Sequence, residues 1–262
     1  MEFFDSHSHY NDEKFNTDRD NIIKEVFEEG ITRIVCAGYN VESSKLAIQL
    51  AEKYSFIYAT CGISPNDMPE GTGLPREPSL LADLSPLAEH PKVVAVGEIG
   101  LDYYWNKENK ELQKELFIKQ IELANNLNKP IVIHSRDAVS DTIDILKNKI
   151  KAKQGGVFHC CPLNVELVKE AVKLGFYISF SGNITFKTAK PENVILEVPN
   201  DKILIETDCP YLAPQAVRGK RNNSKYVKMV AQKIADIKQM EIEEVAEITY
   251  KNAEKMFNII NN

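Results

Sequence analysis

His7 and His9 are the residues of this chain most suited to chemistry, set two apart in Phe4-Asp5-Ser6-His7-Ser8-His9. On a β-strand, residues two apart point to one face. The spacing therefore predicts both imidazoles side by side, with Asp5 on the same side. Neutral imidazoles held on a stiff strand supply half of a site for zinc or a similar ion. Glu98, His134, His159 and Asp208 each fall at the end of a strand-like run that a helical pattern follows. Four imidazoles and two carboxylates exceed what one tetrahedral ion needs and suit two ions about 3.5–4 Å apart. A carboxylate can bridge two ions with its two oxygens, and Glu98 is the expected bridge. Asp208 is expected to ligate one ion and to face the attacking water. Before Pro210 it also suits a helix N-cap.

The elements that must position these side chains form a repeated pattern. Strand-like runs cover Glu2–His9, Arg33–Gly38, Phe56–Ile63, Val93–Asp102, Pro130–Arg136, Gly156–Cys161, Phe176–Phe186 and Lys202–Asp208. They are mostly continuous in apolar residues, as parallel strands covered on their outer face are. Amphipathic helix patterns separate them, clearest over Lys107–Asn126, where Leu112, Leu116 and Leu123 recur near the helical period. Gly30 and Gly175 close helices, and Asn128-Lys129-Pro130 stops another. This alternation predicts an α/β fold, a (β/α)8 TIM barrel forming a single domain over residues 1–262, with an additional C-terminal helix from Glu241 onward. In such a barrel the strand ends converge on one mouth, which gathers all six candidate ligands. The irregular stretches Ser64–Ser79 and Cys209–Asn223 would stand at that rim.

Composition narrows the class further. No apolar run approaches the roughly 20 residues that span a bilayer, and Glu2 leads straight into a strand with no secretory signal. Five cysteines without framework spacing point to reduced thiols and a cytoplasmic protein. A net charge of −6 argues against non-specific coating of nucleic acid. It leaves room for a local basic patch. Nothing in the sequence sets the oligomeric state, and a monomer is consistent with it.

Several segments together resemble a known family. DSHSH at 5–9, VAVGEIGLDYY at 94–104, IVIHSRDA at 131–138, GVFHC at 156–160, and IETDCPYLAP with RGKRN at 205–222 are similar to the motif series of the TatD-related deoxyribonucleases. That family belongs to the metal-dependent amidohydrolase superfamily, whose fold is the same barrel. The resemblance implies a divalent-metal-dependent hydrolase that cleaves phosphodiester bonds, with DNA as substrate and a metal-bound water as nucleophile. It implies two cations, one held by His7, His9, Glu98 and Asp208 and the other by Glu98, His134 and His159. It leaves the metal open among Zn, Mn, Mg and Co. The chain departs from the family pattern at Ser64-Pro65-Asn66 and at Cys161-Pro162-Leu163. Both departures are expected to alter the rim and to spare the ligands.

Basic and aromatic residues near the rim are the candidates for holding a substrate. Arg136 could clamp a phosphate with its planar fork or pair with Asp137 or Asp102. Arg218, Lys220 and Arg221 form a short basic cluster expected to contact phosphates. Tyr103, Tyr104 and Trp105 could stack on bases or pack against loops. The expected mechanism assigns Glu98 and Asp208 the catalytic roles, Asp208 taking the proton of the attacking water. Amide, ester or lactone hydrolysis is the alternative chemistry, because metal-activated water attacks carbonyls equally well. A silent barrel used as a binding scaffold would have no use for six ligands.

Overall fold

The computed structural model describes residues 1–68, 79–105 and 107–259. Eight parallel strands follow one another around a single sheet in chain order. They are β1 (Phe3–Ser8), β2 (Ile31–Ala37), β3 (Ile57–Cys61), β4 (Val93–Asp102), β5 (Ile131–Arg136), β6 (Gly156–Phe158), β7 (Tyr177–Phe180) and β8 (Ile203–Ile205). Helices α1 (Arg19–Glu28), α2 (Val41–Lys53), α3 (Ser79–Ala88), α4 (Lys110–Asn126), α5 (Val139–Asp144), α6 (Val165–Lys173) and α7 (Glu192–Glu197) connect them, and α8 (Val227–Lys238) and α9 (Ile242–Met256) follow β8. The fold is a (β/α)8 barrel with an added C-terminal helix.

Side-chain chemistry places the helix starts. Asn40 accepts the Ser43 N–H while the Ser43 hydroxyl reaches back to the Asn40 N–H, a reciprocal cap at the start of α2. Asn164 accepts the Leu167 N–H in the same way at α6. Each such cap is worth about 1 kcal/mol.

Phe4, Val35, Ala95, Val132, Val157, Tyr177 and Leu204, one from each of seven strands, pack with Ala253, Met256 and Phe257 of the C-terminal segment. This ring fills the barrel below the mouth, and α9 closes it, with the Phe257 ring stacked 6.1 Å from Phe4. A second, larger layer packs the outer faces of the strands against the helices. Gly100 lies in β4 at φ +138°, where an added Cβ would meet the His134 carbonyl oxygen at 2.0 Å. Only glycine lets β4 pair that closely with β5 beside His134.

The last three strands are shorter than their apolar patterns predict. Cys160 and Asp208 take left-handed backbone angles, φ 38° and 55°, and end the extended chain after β6 and β8. After β7 the chain coils into a short 3-10 turn over Gly182–Thr185. The apolar patterns run on because these loops remain buried. The irregular stretch after β3 is described only up to Met68, and its next ten residues lie outside the described residues.

Closure of the barrel comes just beyond β8. The Asp208 N–H donates to the His7 carbonyl at 2.9 Å and the His9 N–H to the Cys209 carbonyl at 2.7 Å. Among the described residues no helix is long and apolar enough to cross a membrane.

Candidate metal centre

The ligand cluster starts where β1 ends. His7 is fully buried and His9 nearly so, and their Nε2 atoms stand 3.1 Å apart. Asp5 does not join them, contrary to strict strand alternation. The pairing of β1 with β2 shifts register between Asp5 and Ser8, which turns Asp5 elsewhere. Its carboxylate accepts the Thr207 N–H at 2.9 Å and hydroxyls from Thr207 and Ser224 at 2.5 and 2.6 Å. Burial pushes the Asp5 carboxyl up to about 7, even against those three donors.

Glu98 on β4 stands between two groups of imidazoles. Its Oε2 lies 3.5 Å from His7 Nε2 and 3.7 Å from His9 Nε2. Its Oε1 lies 3.3 Å from His134 Nδ1 and 3.6 Å from His159 Nε2. His134 Nδ1 and His159 Nε2 are themselves 3.2 Å apart. Asp208 Oδ1 completes the first group, 3.2 Å from His9 Nε2 and 3.7 Å from His7 Nε2. All six residues singled out in the sequence therefore meet at the mouth. Ligand atoms within each of the sets His7/His9/Glu98 and Glu98/His134/His159 lie within 4.8 Å of one another.

The donor set fits divalent cations. Two pairs of imidazole nitrogens face each other across about hydrogen-bond distance, where unprotonated lone pairs repel. A cation in each group would be met by nitrogen and carboxylate oxygen together, the ligand types zinc and its neighbours take.

Charge balance in the metal-free cluster follows from burial and contacts. Burial opposes the ionised form of Glu98, yet the charge of His159 and hydrogen bonds from His134, His159 and His7 hold its carboxyl well below the usual range. Burial likewise opposes the ionised form of Asp208, and the His9 hydrogen bond together with the charges of His9, His7 and His159 lowers its carboxyl all the same. Burial also opposes the charged form of His9, and Asp208 and Glu98 overcome it to raise the imidazole. His7 goes the other way, lowered first by burial and then by the charge of His159.

A ring of polar residues supports the ligands. Asp102, at the end of β4, places Oδ2 2.9 Å from His134 Nε2, and the Asn66 amide donates to the same oxygen at 3.1 Å. The Ser64 hydroxyl donates to Glu98 Oε1 at 3.3 Å. The Ser64-Pro65-Asn66 departure thus touches both carboxylates and reaches deeper than the rim. Asp102, Ser64 and Asn66 were not singled out as site residues from sequence. Asp102 carried a signal, since it stands four residues after Glu98 and so on the same strand face. Glu206, two before Asp208, is fully buried beneath the ligands.

The mouth opens into a cleft of about 1140 Å³. Arg136 lines it, with its guanidinium 3.8 Å above the Tyr104 ring and 5.6 Å from the ring of Trp105, and among the described residues it makes no ion pair with Asp137 or Asp102. Tyr103 is buried and donates to Asp141 at 2.7 Å, so it packs rather than facing the cleft. Arg218, Lys220 and Arg221 do not line the cleft. Arg221 is engaged within the protein, pairing with Asp18 at 2.5 Å, donating to the Lys14 carbonyl at 2.6 Å and covering the Phe15 ring. Arg218 covers Phe186 at 4.7 Å. Arg221 therefore anchors its loop to the N-terminal segment around Lys14 and Asp18. The five cysteines are free thiols.

An eight-stranded parallel barrel whose strand ends gather imidazoles around one carboxylate is the fold and site of a metal-dependent hydrolase. A family model for TatD related DNase matches residues 4–258. The chain belongs to the TatD family. It is 46% identical over 257 residues to the uncharacterized metal-dependent hydrolase YabD of Bacillus subtilis, covering 98% of this chain and 99% of that one. The uncharacterized metal-dependent hydrolase YcfH of Escherichia coli K12 is 35% identical over 263 residues, covering 99% and 97%. The crystal structure of YJJV, a TatD homologue of Escherichia coli K12, superposes with a TM-score of 0.91 at 27% identity over 98% of each chain.

Proposed function

We propose that this hydrolase cleaves phosphodiester bonds, with DNA as the substrate class, and works with two divalent cations of the Zn, Mn, Mg or Co kind. The observation that carries the reading is Glu98, which turns one oxygen to His7 and His9 and the other to His134 and His159. That is the arrangement a carboxylate shared by two ions requires. His7, His9 and Asp208 would hold one ion with Glu98, and His134 and His159 the other. Bound there, the cations would activate a water and offset charge on phosphoryl oxygens.

The chain's own residues supply the rest. Asp208 sits at the open side of the first group, where its carboxylate orients the attacking water and accepts its proton. Arg136, held flat by Tyr104, presents its fork to the cleft and binds a phosphate oxygen pair. Trp105 and Tyr211 are exposed and line the same cleft, giving flat surfaces on which bases stack. Five free thiols suit a reducing cytoplasmic setting.

One observation favours the second reading, hydrolysis of a small amide, ester or lactone. Asp12, Glu13, Asp67 and Asp137 line the cleft, and among the described residues Arg136 is the single Lys or Arg that lines it. Such a wall repels a long polyanion. Purified protein assayed with Mn²⁺, Mg²⁺ or Zn²⁺ on single- and double-stranded DNA, bis-p-nitrophenyl phosphate, aminoacyl esters and lactones decides between them. Turnover of carbonyl substrates with none of either phosphodiester would overturn the nuclease reading.

A further inference from the structure

Beneath the ligand cluster lies a carboxylate that the proposed reaction leaves without a role. Glu206 is fully buried. Its Oε1 accepts the Cys160 N–H at 2.6 Å, which fixes the carboxylate in place. Its Oε2 is buried with no hydrogen-bond partner, and the same holds for Nδ1 of His7 and Nδ1 of His159. These orphans are neighbours. The rings of His7 and His159 stack at 4.0 Å with 13° between their planes. Both turn Nε2 to Glu98, at 3.5 and 3.6 Å. His159 Nδ1 is 3.5 Å from Glu206 Oε1, and ligand atoms of His7, His159 and Glu206 lie within 4.8 Å of one another.

We infer that Glu206 is a shared positioning residue, the one carboxylate that takes the Nδ1–H of both His7 and His159 and so commits Nε2 of each to a cation. The physical reason is tautomer control. An imidazole that offers Nε2 to a cation carries its proton on Nδ1, and a buried N–H without an acceptor is destabilising. Two stacked rings with the same edge turned away from Glu98 need an acceptor on that edge. Glu206 is the carboxylate beside it, with Oε1 3.5 Å from His159 Nδ1 and Oε2 without a partner. The two histidines come from β1 and from just beyond β6, so a single anion beneath them also sets one ring against the other. His9 and His134 have separate arrangements, His9 Nδ1 lying 3.1 Å from the Ala37 carbonyl and His134 Nε2 against Asp102.

The inference rests on the reading of His7 and His159 as metal ligands, and zinc-loaded full-length protein tests both. Imidazole ¹⁵N spectra are expected to show a proton on Nδ1 of His7 and His159. In Glu206→Gln those two signals should move, while those of His9 and His134 stay. Chelator competition should show Zn²⁺ affinity reduced about 10–100-fold, with Glu206→Asp recovering part of it. Bound zinc with no proton on either Nδ1 overturns this inference alone, and the wild-type spectrum decides it even if the variant does not fold. Unmoved signals with affinity within about twofold of wild type also overturn it. A third zinc that disappears with Glu206 would make Glu206 a ligand and refute the positioning role. Wild-type protein that binds no zinc through His7 and His159 defeats the underlying reading as well.

Discussion

Asp102 Oδ2 lies 2.9 Å from His134 Nε2, and the ring accordingly turns Nδ1 toward Glu98 Oε1 at 3.3 Å. The other oxygen of Asp102 accepts the backbone N–H groups of Tyr104 and Trp105 at 2.9 and 3.0 Å. One side chain thus ties the orientation of a ligand to the turn that carries the aromatic cleft wall. Asp102→Asn should weaken metal binding about 10–100-fold. It should also shift the emission of Trp105, the chain's sole tryptophan. Metal titration followed by that fluorescence reads both, and wild-type affinity with unchanged emission would show that Asp102 is a bystander.

His134→Ala and His159→Ala remove ligands from the second group while leaving the packed ring below the mouth untouched. Each should lower metal content toward one ion per chain, with circular dichroism unchanged. Elemental analysis checks this, and full stoichiometry in both variants rules the assignment out.

Asp208→Asn keeps an oxygen near His9 and loses the proton acceptor. The expected loss in kcat is about 10²–10⁴-fold with a much smaller change in KM. Steady-state kinetics at saturating metal separates the roles. Recovery of near-normal kcat by excess metal would leave Asp208 as a ligand and nothing more.

The two arginines should behave oppositely. Arg136→Ala should raise KM for a phosphodiester about tenfold or more while leaving thermal stability near wild type. Arg221→Ala should leave KM within about twofold and lower stability by about 1 kcal/mol, a modest figure because its pair with Asp18 is partly exposed. Kinetics and thermal melts on both variants test the contrast, which a KM effect at Arg221 would reverse.

Asp5 gives a pH dependence with a defined sign. Its carboxyl titrates near 3.8 in the unfolded chain and is pushed up to about 7 in the fold, chiefly by burial. The folded state therefore binds the extra proton. This contribution to stability is fully present below pH 3.8 and is lost as pH rises to about 7. Its full span is on the order of 4 kcal/mol. Asp5→Asn should flatten the fall of unfolding free energy with pH over that window, measured by denaturant titration of the metal-stripped protein. Parallel curves for the two proteins would remove Asp5 as the cause.

The barrel was legible because eight apolar runs alternate with helical patterns, and the six candidate ligands were legible because each lies in the C-terminal half of such a run. Local backbone turns were not. The shift at β1 that sends Asp5 to Thr207, and the left-handed angles at Cys160 and Asp208, arise from how neighbouring strands meet and leave no mark in residue periodicity. Charge alone also misled. Arg221 reads as a free cation until Asp18, from the other end of the chain, is seen beside it. Glu206 was legible as the acidic residue two before Asp208, but its neighbours come from loops distant in sequence.

The backbone bonds that shut the barrel join His7 and His9 to Asp208 and Cys209, and this gives the molecule a schedule. In a growing chain Asp208 emerges roughly 10–40 s after the first two imidazoles, at about 5–20 residues per second. Until Thr207 and Asp208 arrive, β1 has no partner on its open side, Asp5 lacks its Thr207 and Ser224 donors, and the first ligand group lacks its outer carboxylate. A nascent or prematurely ended chain is an open sheet with an incomplete cluster. The same few residues finish the fold and the candidate centre, so the cluster cannot be assembled before the chain has been made through Asp208 and Cys209.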